Sequence, residues 1–168
     1  SFHNEWHTLW QEKRRGPITV VIKIDTDGTV LLTAPTIETG PGTNSVAAYL
    51  CSEALGIPVQ KIRWIATTDT DTSPKDQVQT DSAVAILFSE AIPAAAREVR
   101  KRLFTLAAPI LGVTQDRLDR GEERVYDLQD VARVVCIAEL VRLAGIVPLI
   151  TLHNYEIPVV DKGTPFRA

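Results

Sequence analysis

The chain has 168 residues, a formal net charge of -3, 45% hydrophobic and 6% aromatic residues; this balance supports a sizeable core in one large domain or a piece of something larger. Its slight acidity, with basic runs no longer than QEKRR and REVRKR, argues against a protein that gains affinity by neutralising phosphates along nucleic acid. No apolar run approaches the ~18 residues of a membrane span and nothing resembles a signal peptide, so no membrane partner is expected and the expected compartment is the cytoplasm.

Methionine is absent, position 1 included, and Ser1 is therefore not expected to be a translation start. Residues 1–16, SFHNEWHTLWQEKRRG, combine Phe2, Trp6 and Trp10 with a charged tail and end at Gly16-Pro17, which predicts a helix or docking arm followed by a breaker. Residues 17–168 are expected to form a single domain. Within it, ITVVIKI reads as a strand from Ile18 to Ile24, DTDGT supplies an Asp-Gly turn, and VLLTAPT completes a hairpin. Asn44 or Thr43 is the expected cap of the helix SVAAYLCSEAL, which Gly56 stops before Pro58. KIRWIAT, Lys61 to Thr67, reads as the next strand, and the polar loop TDTDTSPKDQVQTD follows.

A long helix is predicted from about Ser82 to Leu111, with Pro93 as kink and Pro109 as stop. Ala85, Phe88, Ile92, Ala96, Val99, Leu103 and Leu106 fall on one apolar stripe of it. After a turn at Gly112, RVYDL leads to a helix capped by Asp127 or Asp130 and running through Leu143; Gly145 ends it, and IVPLITLHNYEIPVV is mostly extended. Cys51 and Cys136 both sit in apolar helical patterns without a partner at metal-ligand spacing, so both are expected as buried thiols in a reducing compartment. The alternation of elements predicts an α+β (mixed α/β) fold, with helices packed on a mixed β-sheet.

Few groupings of residues carry chemistry. The turn GPGTN, ahead of the first helix, offers free backbone N–H groups and a positive helix end to an anion, and glycine allows close approach of a ligand. The same residues also serve a plain strand-to-helix bend, and Pro41 lacks the N–H that a phosphate nest would use. In DTDTDTSPKD, Asp69, Asp71 and Ser73 alternate as in a calcium loop, but Pro74 stands where glycine is needed and Thr80 where a bidentate glutamate would close it. His3 and His7 lie one helical turn apart without a third ligand or the HExxH order, and His153 is alone. No Gly-x-Ser-x-Gly elbow, Walker lysine or Rossmann acidic residue is present. The residues by themselves thus assign no catalytic group and no metal site.

Three consecutive stretches together point further. VVIKIDTDGTVLLTAPTIETGPGTNSVAAYLCSEALGIPVQKIRWIATTDTDTSPKD is similar to the molybdenum hydroxylases, specifically the molybdopterin-binding large subunit of xanthine dehydrogenase and aldehyde oxidase type enzymes. It follows that family's strand, Asp-Gly turn, Gly-Gln-Gly-x-x-Thr loop, AEELGIP-like helix and Asp-Thr-Asp-Thr-x-Pro loop in order, and QVQTDSAVAILFSEAIPAAAREVRKRLFTLAAPILGV resembles its second cofactor loop and long helix. The resemblance covers roughly residues 17 to 120. It implies molybdopterin contacts from Gly40, Pro41, Gly42 and Thr43 in the first loop and from Asp81, Ser82, Ala83 and Val84 in the second. The family's chemistry is hydroxylation of an activated C–H with water as oxygen source, using a glutamate of a late Gly-x-Gly-Glu motif that does not occur here. Implied partners are the remaining molybdopterin-binding segments and the iron-sulfur and flavin subunits or domains. Pro41 replaces the family's glutamine, and QVQTDSAV departs from its Ser- and Arg-containing second loop. The expected function is a fragment or small subunit forming part of the cofactor cleft and inactive alone; the alternative is a degenerate stand-alone relative, without cofactor, acting as a non-catalytic binding or assembly protein.

Overall fold

The computed structural model describes residues 18–66, 83–145 and 149–155. Alternation in ITVVIKI places Ile18, Val20, Ile22 and Ile24 on one buried face of strand β1 (Ile18–Ile24), as a period of two requires. The Asp-Gly turn follows: Gly28 takes φ 84 and donates its N–H to the Asp25 carbonyl at 2.9 Å. Strand β2 (Val30–Ala34) returns antiparallel, with Val30 opposite Ile24. Helix α1 (Thr43–Leu55) then crosses to strand β3 (Ile62–Ala66), which pairs parallel with β2. Strand β7 (Leu149–Tyr155) pairs antiparallel with β1 and completes the sheet order β3-β2-β1-β7.

Helix α2 (Ala83–Leu111) packs on this sheet and against α1. Its Phe88, Ile92, Ala96, Val99 and Leu103 are buried as predicted, and Val84, Leu87, Ala91, Ala95 and Ala107 widen the stripe. Ala85 and Leu106 are only half-buried, at its margin. The helix continues through both prolines, so Pro109 is not the stop. Gly112, at φ 67, ends it, and Val113 donates its N–H to the Ala108 carbonyl at 3.1 Å. That bond and the left-handed glycine mark a Schellman motif, which satisfies a carbonyl of the last turn.

The predicted helix beginning near Asp127 is replaced by a second sheet. Strands β4 (Leu118–Gly121), β5 (Arg124–Asp127) and β6 (Val134–Cys136) form an antiparallel meander, and helix α3 (Ile137–Leu143) starts only afterwards. Asp127 caps a loop instead of a helix: buried, it accepts the Gln129 N–H at 3.0 Å and the Arg117 Nε at 3.2 Å, and Arg117 Nη2 bonds its second oxygen. Burial alone would raise its pKa, but the Gln129 and Arg117 hydrogen bonds and the Arg117 charge outweigh it and hold the carboxyl below its ordinary value. Cys136 is exposed, against the expectation of a buried thiol. It lies on strand β6, where Val135 turns inward and its two neighbours therefore turn out. Cys51 is buried, which pushes its thiol up to about 12.

The sheet face away from α2 is less covered, with Ile65 40%, Ile150 46% and Leu152 60% exposed. The 1–16 arm, the acidic loop with Asp69, Asp71 and Ser73, and His3 and His7 lie outside the described residues. No helix among the described residues is long and apolar enough to cross a membrane.

Phe88 is fully buried and meets Trp64 edge-on, ring centroids 5.5 Å apart. Phe88→Ala is expected to cost about 3–5 kcal/mol, through lost transfer energy and the cavity left behind, measurable by chemical denaturation. Asp127 supplies a pH test. Because its folded pKa is depressed, its contribution is present above the unfolded pKa and is lost as pH falls through the folded one. Below about pH 4 the wild type should therefore lose melting temperature more steeply than Asp127→Asn, which starts lower at neutral pH.

Candidate functional site

The loop between β2 and α1 is built by glycine. Gly40 has φ 110 and Gly42 φ 78, values open to glycine and costly for residues with a Cβ. Gly42 is the residue from which α1 springs, and no side chain caps it in the usual position. The capping expected of Asn44 or Thr43 is absent because Thr43 already lies inside the helix. Glu38 takes their role from upstream: its Oε1 accepts the Gly40 N–H at 2.8 Å and the Gly42 N–H at 3.0 Å, and its Oε2 accepts the Asn44 N–H at 3.1 Å. These bonds, with Asn44 and Gly40 the strongest, hold the exposed Glu38 carboxyl below its ordinary pKa. The three donors are every second residue, so Pro41, with no N–H to give, falls where none is used.

Around this loop the surface is open. A Cβ added at Gly40 or at Gly42 would meet nothing within 4 Å, so the turn presents a side of bare backbone. Thr43 is buried, and two polar atoms flanking the loop, Thr36 Oγ1 and Asn44 Oδ1, are buried without a hydrogen-bond partner. Buried polar atoms are normally paired, and Trp64 Nε1 on β3 and Thr151 Oγ1 on β7 lack a partner as well. Sequence reasoning missed Glu38 and Thr36 as site features and read Asn44 only as a cap and as the end of the GPGTN turn. The usable signal for Glu38 was a helix with neither an N-cap side chain nor an acidic residue in its first turn, preceded closely by a carboxylate.

The second predicted loop is seen only at its end. Asp81 and Ser82 lie outside the described residues; Ala83 opens α2, and Val84 is buried in the hydrophobic core. The structure brings Thr43 and Val84 to the buried starts of two helices that pack on each other. His153 is a half-buried residue of β7 opposite Val20. No group of three potential metal ligands occurs among the described residues.

A separate hollow of about 210 Å³ lies between the second sheet and the end of α1, lined by Gly28, Ile57, Lys61, Glu123, Cys136 and Ile137 among others. Its wall includes the β4–β5 turn, where Glu122 and Glu123 hold φ 50 and 63. The turn is pinned there by packing: Glu123 N–H bonds the Gly56 carbonyl at 3.0 Å, Ile137 N–H bonds the Glu123 carbonyl at 2.8 Å, and Lys61 pairs with the Glu123 carboxylate. These contacts account for the strained backbone as a structural junction.

The loop conformation gives a direct test. Gly42→Ala should destabilise the fold by roughly 1–2 kcal/mol, the cost of a left-handed alanine, although no atom stands in the way of its methyl group. Urea denaturation of the variant would read it.

Comparison with known proteins places these features in context. The family described as "Molybdopterin cofactor-binding domain" matches residues 5–167. The xanthine dehydrogenase molybdenum-binding subunit of Escherichia coli O157:H7 is 28% identical over 116 residues, covering 63% of this chain and 15% of that protein. Xanthine dehydrogenase/oxidase of Mus musculus is 39% identical over 83 residues, covering 49% of this chain and 6% of that protein. Among solved structures, quinoline 2-oxidoreductase from Pseudomonas putida 86 superposes with a TM-score of 0.71 at 21% identity over 83% of this chain and 19% of its own. Reconstituted CO dehydrogenase from Oligotropha carboxidovorans gives 0.70 at 22% identity over 84% and 18%. These two likenesses establish the shared α+β fold, and the chain spans only 6% to 19% of the length of these relatives.

Proposed function

Because this chain belongs to the molybdopterin cofactor-binding domain family, we propose that the loop from Gly40 to Thr43 forms one wall of a molybdopterin cleft whose other walls come from further segments of a xanthine dehydrogenase type hydroxylase. The observation that carries this reading is the open glycine turn, whose added Cβ atoms would meet nothing within 4 Å. A flat ring can lie against such a surface at close range. Asn44 Oδ1 and Thr36 Oγ1, buried and unpaired, fit a group that carries its own hydrogen-bond donors. The loop's N–H groups at Gly40, Gly42 and Asn44 do not fit an anionic part of the cofactor, since Glu38 already takes them. Asp81, Ser82, Ala83 and Val84 are proposed as the second set of contacts, with Val84 acting through its backbone because its side chain is core.

When bound, molybdopterin supplies a redox-active molybdenum centre. The chain's own part is to orient: the glycine turn sets the approach distance, and α1 and α2, packed together, fix the loop against the sheet. No residue of this chain is assigned to proton transfer, so the reaction itself belongs to the assembled protein. The implied companions are the remaining molybdopterin-binding segments and iron-sulfur and flavin subunits or domains, working in the cytoplasm, with residues 1–16 as an arm and 17–168 as one unit of the larger domain. Pro41 favours a second reading, a non-catalytic binding or assembly relative, since proline offers no side-chain donor in place of the family's glutamine.

Molybdenum content per chain, in protein purified with its natural partners, separates the two. Near-stoichiometric metal is expected for the cleft wall, and its absence from an otherwise intact preparation would favour the second reading. Pro41→Gln is further expected to raise molybdenum retention; equal retention in both forms would remove the turn from the cofactor site.

A further inference from the structure

The start of a helix behind a glycine turn is a ready seat for phosphate, and the seat in this fold is taken. Both oxygens of Glu38 are engaged, Oε1 by Gly40 and Gly42 and Oε2 by Asn44, at 2.8 to 3.1 Å. Charge-assisted bonds of this kind are stronger than those between neutral groups, and a second anion at the same amides would have to expel the first against like-charge repulsion. Helix α1 brings no other negative group to its own first turn and no capping side chain, so the carboxylate is also what completes the helix start.

Resting on the reading of this loop as a cofactor wall, we propose that Glu38 is its positioning residue: a resident anion that fixes the Gly40-Pro41-Gly42 turn and closes it to phosphate. The wall then recognises a neutral surface, and any phosphate of the ligand is held elsewhere. Pro41 is compatible with this arrangement because the amide it lacks is one that Glu38 does not use.

The test follows the backbone amides of the full 168-residue chain by NMR, with inorganic phosphate as the probe. In the wild type the Gly40, Gly42 and Asn44 amides should exchange slowly and stay unmoved by phosphate. In Glu38→Ala they should exchange roughly tenfold faster and shift on phosphate addition, while Ile22 in the sheet keeps its protection. Glu38→Gln, with a neutral acceptor of the same length, should fall between, and it carries the comparison if the alanine variant fails to fold. Wild-type amides that titrate with phosphate, or variants that exchange at the wild-type rate, would overturn the assignment. Molybdenum retention is read separately: a chain that holds no molybdenum yet shows this amide pattern keeps Glu38 in its role and loses only the cofactor reading.

Discussion

One helix face holds the molecule together. The buried stripe of α2, from Val84 through Phe88, Ile92 and Val99 to Leu103 and Ala107, touches β1 and β7 of the first sheet, strands β5 and β6 of the second, and both other helices. Burying each large apolar side chain contributes on the order of 1.5–3 kcal/mol, whereas exposed ion pairs such as Arg133 with Asp130 contribute at most about 1. The alanines at 91, 95, 96 and 107 matter for shape more than for area, since small residues let the helix approach its neighbours on every side. Two prolines inside it are tolerated because this packing outweighs the backbone bonds they remove.

That constraint also explains what could be read from the sequence. The β1–β2 hairpin was legible because strict alternation meets an Asp-Gly turn, and α2 because its stripe has helical period over many turns. The second sheet was not legible. Its strands are three or four residues long, LDRG and RVYD are charged, and the β4–β5 turn uses Glu122-Glu123 in a conformation that normally calls for Asn-Gly. Tertiary contacts to Gly56 and Ile137 hold that turn, and contacts distant in sequence leave no local pattern. Asp127 misled for the same reason: a carboxylate near a helical stretch reads as a cap, and only the fold reveals Arg117 beside it.

The glycine loop was half legible. Its residues and their relation to molybdopterin-binding proteins stood out, but the tenant of its amides did not. Capping rules look at the residue flanking the helix and three beyond it, and Glu38 reaches in from outside that window. Pro41 changes meaning accordingly. Beside an empty phosphate nest it would be a defect, while beside a filled one it is a neutral choice for the turn and a question only for side-chain contact with a ligand.

The pairing of β7 with β1 bears on how the chain acquires this shape. Ile18, the first described residue, lies opposite Tyr155, the last, so the strand that completes the first sheet pairs with one far from it in sequence. Hairpin β1–β2 and the crossover through α1 to β3 need only local chain closure, but β7 must wait until everything between has been made, and pairings of such sequence separation are slow. Until then β1 carries an open edge with a full row of unpaired amides and carbonyls. An open edge of that kind is a template on which another extended chain can pair.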